Sequence, residues 1–548
     1  MMHPYLCRQL FWNKICLFIP YQQITMRFQT FTKFSAIVIM ATAAQAIAQT
    51  TPYVRATPPE KKNTIGTYPK LKNAKSWDGR EPGTYSIKFK INGVRPGDSL
   101  LLADYHLDGR YKIDTAVVDR TGIADFTGIY KLPRGMYILA LPQMAGFFDF
   151  IVDDDQDFLI TTDTAYYTGD YYTKMKVKGS DQNQGFVEYQ LGKSKIVEEI
   201  IRIDEILKKD TSKAAQEPLK KKRSELFDQK NNYDMNYVNA HPDHLLSRFL
   251  YAVEDVEVPT ELPTLADGTK DSAFPYRYYK EHFWDHVDLN EDGLTRMPVN
   301  VLKQRLDLYF DKILIPDADT LIKESAMLLD QCKNTIEIEK YLIWYLTNRF
   351  EGSNIMGVDK AFLWMASTTY CNGKAWWTDS STVDKMCENA QRRKWTLIGE
   401  DAPTLELMDL DSNWVNTNAI KASYTIMIFW DPTCGHCREV MPKLAKIYQD
   451  NMAKGWKVIA LSPGDKSKEF DEYIKQHPEV GSFLHLTRGS VRSEYYRNQM
   501  AKYYVNVSPT IFILDDQKEI LANRIDVDKI TEFIDHVDKQ KKKKEKAN

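Results

Sequence analysis

The 548-residue sequence has little net charge and few cysteines. Its 73 basic and 75 acidic residues leave a formal net charge of −2, so no excess of positive charge points to a nucleic-acid partner. Among the seven cysteines a single pair has Cys-x-x-Cys spacing, which disfavours a zinc site built from two such pairs. What remains is an ordinary globular composition, 43% hydrophobic, with room for several domains.

The N-terminal region has the pattern of an exported protein. Residues 26–33 are basic, an apolar run follows, and Ala46 and Ala48 form a small-x-small cleavage pattern. We therefore predict a signal peptide at 26–48, preceded by an upstream extension at 1–25, and a location in the periplasm or cell envelope. An uncleaved membrane anchor is the alternative, although the apolar run is short and alanine-rich for a span.

The Cys-x-x-Cys pair, Cys434 and Cys437, stands between a predicted strand at 425–429 and a predicted helix at 438–451. At a helix N-terminus, unsatisfied N–H groups and the helix dipole favour a thiolate, which is the nucleophilic form of cysteine. Cys434 is the predicted nucleophile, and Cys437, one turn later, would attack the mixed disulfide. We interpret the pair as a redox-active disulfide needing no other cofactor, rather than as half of a zinc site or an inert disulfide.

The segments after the pair continue in the order βαβα and then ββα, which resembles the thioredoxin fold over residues 395–540. The resemblance is carried by Phe429-Trp430, by Cys434-Gly435-His436-Cys437, by Pro442 in the helix and by Ser508-Pro509-Thr510. It implies that the bond before Pro509 is cis, that Ser508 and Pro509 meet the substrate, and that Trp430, Gly435, His436 and Pro442 support the pair. A trans proline that merely starts a strand is the alternative.

The lead-in Gly399-x-x-Ala402-Pro403 looks like the TlpA/ResA branch of thiol-disulfide oxidoreductases of the bacterial envelope. That resemblance implies protein thiol and disulfide substrates, a membrane electron donor and work as a reductant. Two positions depart from the branch, because Ile428 and Val440 stand where relatives often carry an acid, so the proton acceptor for Cys437 stays open. Thiol peroxidases share the lead-in, but their Thr-x-x-Cys motif is absent here.

His436 predicts a middling reduction potential for the pair. A cation or hydrogen-bond donor between the cysteines stabilises the thiolate and raises the reduction potential. Disulfide isomerases share the Cys-Gly-His-Cys sequence, so an isomerase or oxidase is an alternative to a reductant. A binding protein that uses the domain as a scaffold is another.

The predicted fold class is multidomain: an N-terminal all-β sandwich-like domain, an α-helical middle domain and a C-terminal α/β thioredoxin fold. The other predicted segments are a linker at 49–80, the β-domain at 81–180, the helical domain at 183–394 and a basic, solubilising tail at 541–548. Strands are predicted at 86–91, 99–103, 115–118, 136–141, 148–152 and 175–178. Helices are predicted at 186–207, 220–239, 243–254, 275–286, 298–310, 317–332, 336–350 and 358–370.

Several other residues suggest metals or disulfides, and we favour structural interpretations for them. The acidic run 153–157 is interpreted as a solvated turn, and 288–293 as a capping turn, because Val299 replaces the glutamate that an EF-hand loop requires. His282 and His286 share a helix face without the glutamate of a metalloprotease motif. Cys371 and Cys387 could pair across a loop, but the favoured interpretation is that they and Cys332 are inert. No metal site is predicted.

Overall fold

The computed structural model describes residues 82–142, 146–163, 171–209, 213–463, 466–487, 493–503, 505 and 507–547. The predicted upstream extension, signal peptide and linker lie outside the described residues. Within the described part of the chain, no helix is both long and apolar enough to cross a membrane. The chain divides into two compact units, the first with the described residues up to Ile313 and Asp330–Glu339, the second with Leu314–Leu329 and the chain from Lys340 onward.

The described residues of the first unit form the strands β1 (Pro82–Asn92), β2 (Ser99–His106), β3 (Gly109–Val117), β4 (Ile123–Tyr130), β5 (Gly135–Ala140), β6 (Phe147–Val152), β7 (Asp157–Asp163) and β8 (Lys176–Lys178). These strands make two four-stranded β-sheets, with strand orders β4-β1-β7-β8 and β3-β2-β5-β6. Their apolar side chains meet in one core that includes Phe89 from one sheet and Phe150 from the other. Neither β4 nor β7 was predicted from the sequence. The β7 strand pairs in parallel with β1, and no local turn signal predicts such a pairing.

The acidic run before β7 is not simply a solvated turn. Asp153 is buried and pairs with Arg134. Gln156 is buried too, and its side-chain amide exchanges hydrogen bonds of 2.8 Å with the main chain of Leu132. The solvated interpretation is therefore wrong for Asp153 and Gln156, because both are buried and pair with residues of the neighbouring segment.

The helices of the first unit follow the sandwich strands along the chain. They are α1 (Asp181–Lys209), α2 (Lys213–Ala240), α3 (Leu245–Val253), α4 (Phe274–His282) and α5 (Val301–Leu308). The segment predicted as a capping turn does cap backbone groups: Glu291 accepts from the Gly293 N–H at 3.2 Å, and buried Asp292 accepts from the Ile338 N–H at 3.0 Å. Nearby, His282 contacts Asp285 at 2.7 Å, and His286 contacts the Glu254 carbonyl at 3.0 Å.

Four further helices complete the middle of the chain: α6 (Ala318–Gln331), α7 (Glu337–Glu351), α8 (Asp359–Thr368) and α9 (Ser380–Lys394). The last of them was not predicted, although its N-cap, Asp379, accepts a 3.0 Å hydrogen bond from the Thr382 N–H. The α8 and α9 helices belong to the same unit as the C-terminal sheet.

Cys371 and Cys387 form a disulfide that joins the segment after α8 to α9. The interpretation that these two cysteines are inert is therefore corrected. Their Cα atoms are 5.6 Å apart, a separation that only the packing of α8 against α9 creates. Cys332 is fully buried, as expected for a packing residue.

The described residues of the C-terminal sheet form the strands β9 (Glu406–Asp409), β10 (Trp414–Asn416), β11 (Tyr424–Phe429), β12 (Trp456–Ser462), β13 (Leu484–Thr487), β14 (Thr510–Leu514) and β15 (Ile520–Asn523). Their order in the sheet is β10-β9-β13-β12-β11-β14-β15. The central β11 is buried throughout, and its alternate side chains enter two different cores: Ile426 and Ile428 on one face, Met427 and Phe429 on the other. The helices are α10 (Gly435–Asn451), α11 (Ser467–Gln476), α12 (Glu494–Ala501) and α13 (Ile530–Ala547).

Candidate active site

The cysteine pair lies where the central strand passes into a helix. The β11 strand ends at Phe429, and α10 begins at Gly435 with Cys434 as its N-cap residue in an extended conformation. Cys434 is partly exposed, whereas Cys437 is fully buried, and both carry free thiols. A large substrate can therefore reach Cys434 directly but not Cys437.

A tight turn from Asp431 to Cys434 joins the strand to the helix. The Cys434 N–H donates to the Asp431 carbonyl at 3.1 Å, which closes the turn. The Asp431 carboxylate accepts from both the N–H and the hydroxyl of Thr433, at 2.8 and 2.6 Å. Aspartate at the first position and Pro432 at the second are typical of such turns, because the carboxylate mimics a backbone acceptor and proline presets φ.

The sheet order brings the segment around Pro509 to the pair. The first residue of β14, Thr510, lies opposite Phe429 at the end of β11. The Cys434 thiol consequently donates to the Ser508 carbonyl at 3.4 Å, although the two residues are 74 positions apart in sequence. The Ser508–Pro509 peptide bond is cis, as predicted. The roles of Ser508 and Pro509 toward a substrate stay predictions.

The buried Cys437 is poised as a neutral thiol. Burial is the main cause that raises the pKa of Cys437 to about 12, and the neighbouring Cys434 and Asp431 act in the same direction. One interaction opposes them, since the main-chain N–H of Asp431 donates to Cys437 Sγ at 3.5 Å. A base or a set of donors must therefore help this thiol lose its proton.

The two positions where the family resemblance implies an acidic residue lie in the core cluster that contains Cys437. Ile428 and Val440 are buried apolar side chains of the same core cluster as Cys437. Tyr473 of α11 belongs to that cluster as well, and burial raises its pKa to about 12. Its hydroxyl donates to the Arg438 carbonyl at 3.2 Å.

Lys466 is a neighbour of the active-site turn that sequence reasoning missed. Its ammonium lies 2.7 Å from an Asp431 carboxylate oxygen and 2.9 Å from the Thr433 hydroxyl. Burial acts to raise the pKa of Asp431, but the hydrogen bonds from Lys466 and Thr433 outweigh it and leave this pKa lowered. No local signal links a lysine to a turn 35 residues earlier; the parallel pairing of β11 and β12 places both segments at the same edge of the sheet.

Trp430 and Pro442 belong to the framework around the pair. The Trp430 ring is fully buried, with its centroid 5.8 Å from that of Phe470 and 5.3 Å from that of Tyr473, so it packs against α11. Pro442 lies inside α10.

The two residues between the cysteines are open to solvent. The His436 side chain is 71% exposed, and its ring lies 3.8 Å from the Glu439 carboxylate. A Cβ placed on Gly435 would meet no atom within 4 Å. Neither residue is therefore required for packing, and any role they have concerns the cysteines or a partner.

Residues 422–520 match a protein family described as thioredoxin-like. A curated relative, the thiol-disulfide oxidoreductase ResA of Oceanobacillus iheyensis, is 20% identical over 145 residues, which cover 26% of this chain and 72% of that protein. The C-terminal region is thus a thioredoxin-like domain of the kind found in thiol-disulfide oxidoreductases, and the predicted resemblance to the TlpA/ResA branch is confirmed.

Solved structures of two bacterial proteins are among those similar to this chain. One is a domain of a possible thiol-disulfide isomerase from Cytophaga hutchinsonii, 29% identical, covering 27% of this chain and 97% of that one with a TM-score of 0.25. The other is a thioredoxin-like protein from Bacteroides caccae, 13% identical, covering 50% of this chain and 98% of that one with a TM-score of 0.41.

Proposed function

We propose that the protein exchanges thiols and disulfides with protein substrates through Cys434 and Cys437. The observation that carries this proposal is the unequal access of the two thiols: Cys434 is partly exposed at a helix N-terminus and Cys437 is fully buried one turn later. The first is placed to attack a substrate, and the second to attack only a sulfur already bonded to the first.

The reaction conserves atoms and transfers two electrons. The Cys434 thiolate attacks one sulfur of a substrate disulfide, which forms a mixed disulfide and releases one substrate thiolate. Cys437 then loses its proton and attacks Cys434 Sγ, which releases the second substrate thiolate and leaves a Cys434–Cys437 disulfide. The substrate is reduced and the pair is oxidised. A substrate chain can meet Cys434 beside Ser508 and Pro509, as the family resemblance implies.

We propose further that the exported protein works as a reductant, recharged by a membrane electron donor. The predicted signal peptide and the resemblance to the TlpA/ResA branch support this direction. The exposed His436 favours an isomerase as the second candidate. Equilibration with glutathione separates the two, since a potential of about −270 mV is typical of thioredoxin and about −180 mV of disulfide isomerases.

The proposal is tested with insulin reduction and with mixed-disulfide trapping. Replacing Cys434 with Ala should abolish reduction, and Cys437→Ser should accumulate substrate adducts that dithiothreitol releases. Cys332→Ala is the matched control, because this buried cysteine lies outside the pair and its removal should leave both readouts unchanged. Full activity of the Cys434→Ala variant would refute the proposal.

A further inference from the structure

A charged cluster beside the cysteine pair has no role in the exchange steps described above. It consists of Lys466, Asp431 and Thr433, which are joined by hydrogen bonds of 2.6 to 2.9 Å. We refer to it as the lysine clamp. The side chains of Lys466 and Asp431 are 35% and 21% exposed, and ion pairs with such exposure add little to folding stability. Stability alone therefore gives a poor reason for this arrangement.

The lysine clamp constrains the turn that carries Cys434. Within the turn, the Asp431 carboxylate holds the N–H and hydroxyl of Thr433. Lys466 adds two contacts from the residue that precedes α11, a separate element of the fold. Lys466 therefore anchors the Asp431 end of the turn to the segment that precedes α11.

Asp431 also contacts the buried Cys437 thiol through its main-chain N–H. The Asp431 N–H points at Cys437 Sγ, with nitrogen and sulfur 3.5 Å apart. When Cys437 ionises, this contact becomes a hydrogen bond to a charged acceptor, which is stronger than one to a neutral thiol. The Asp431 carboxylate acts the other way, because a negative charge near the sulfur disfavours a thiolate. An ammonium on that carboxylate compensates for its charge.

We propose that Lys466 is a positioning residue for the resolving step: through Asp431 it keeps a peptide N–H aimed at Cys437 Sγ and offsets the carboxylate beside the forming thiolate. This inference rests on the proposed function. It explains how Cys437 can ionise although Ile428 and Val440 replace the acids of relatives. Among the described residues, the titratable groups that interact with Cys437 are Cys434 and Asp431 from its own segment and Tyr473 from α11.

The test follows the two steps separately with 5,5′-dithiobis(2-nitrobenzoate) in stopped flow. The first thionitrobenzoate leaves when Cys434 attacks the reagent, at a rate proportional to reagent concentration. The second leaves when Cys437 attacks the Cys434 mixed disulfide, at a rate independent of that concentration. The Cys437→Ser variant should lose only the second phase, which establishes the proposed function independently of Lys466.

Replacing Lys466 with Met should slow the second phase about tenfold and move its pH profile up by about one unit, while the first phase stays within about twofold. Lys466→Arg should restore most of the rate. The matched control is Lys468→Met, since Lys468 lies two residues further along and is exposed. Asp431→Asn keeps an oxygen for Thr433 but replaces the oxygen that accepts from Lys466 with an amide donor. Its second phase should be slowed less than that of Lys466→Met, because no carboxylate is left beside the forming thiolate.

Two results would overturn the inference. One is an unchanged second phase and pH profile in Lys466→Met. The other is an equal slowing of both phases in Lys466→Met and Asp431→Asn, which indicates a general disturbance of the turn rather than an effect on Cys437. Loss of the second phase in the unaltered protein would instead refute the proposed function.

Discussion

The buried thiol of Cys437 should make the reduced protein sensitive to alkali. Burial raises the pKa of Cys437 from an ordinary value near 9 to about 12. Between these two values the unfolded chain has lost this proton while the folded protein still holds it. The folded state then binds more protons than the unfolded state, so the free energy of unfolding falls as the pH rises.

The magnitude follows from the width of that interval. Each pH unit between the two pKa values lowers the free energy of unfolding by about 1.4 kcal/mol, and the whole interval by at most about 4 kcal/mol. Below about pH 8 the contribution is fully present. The oxidised protein has no thiol at Cys437 and should not show this part of the pH dependence.

Urea unfolding of the reduced protein at several values between about pH 8 and 10.5 measures the effect, with the oxidised protein and reduced Cys437→Ala as references. Loss of the Cys437 side chain changes the free energy of unfolding of the Ala variant by an amount that does not depend on pH. Only the change of that free energy with pH is therefore compared. We expect the reduced protein to lose about 1–2 kcal/mol more than either reference over this range. Equal pH dependence in all three would refute the assignment of a raised pKa to Cys437.

Three further predictions concern residues of the second unit. Replacing Cys371 and Cys387 together by Ser should lower the free energy of unfolding by about 3 kcal/mol in urea, because their sequence separation of 16 closes a loop of that length; an unchanged urea midpoint would contradict this. Asp359→Ala should cost about 3–5 kcal/mol in the same assay, since it leaves the buried Arg393 without its 2.9 Å partner, and a cost below about 1 kcal/mol would argue against that pairing. Gly435→Ala should leave circular dichroism and the thermal midpoint unchanged, because the added methyl group meets open space, and a clear drop in the midpoint would contradict the open face.

Local patterns predicted the features that depend on residues close together in sequence. The Cys-x-x-Cys spacing, the buried strand before it and the helix after it all follow from periodicity and from helix-end chemistry. The disposition of Cys434 as an N-cap residue and Cys437 one turn later is such a local consequence. The cis bond before Pro509 was reached through family resemblance, because nothing in its flanking residues requires that isomer.

Features that depend on how separate strands and helices pack were not predictable in this way. The parallel partner of β1, the lysine beside Asp431 and the closeness of Cys371 to Cys387 join segments between 16 and about 70 residues apart. Such pairings are set by how complete elements pack, and a side chain carries no local mark of a partner that arrives from another strand or helix.

The sequence by itself determined that one cysteine pair stands at a helix N-terminus, because strand, turn and helix signals all lie within a few residues of it. Only the tertiary structure decided what surrounds the pair: the sheet order places β14 and the start of α11 on either side of the same turn. The Ser508 carbonyl reaches Cys434 by that route, and the Lys466 ammonium reaches Asp431. The physical reason is that side-by-side strands bring their ends together in space, whatever length of chain separates them.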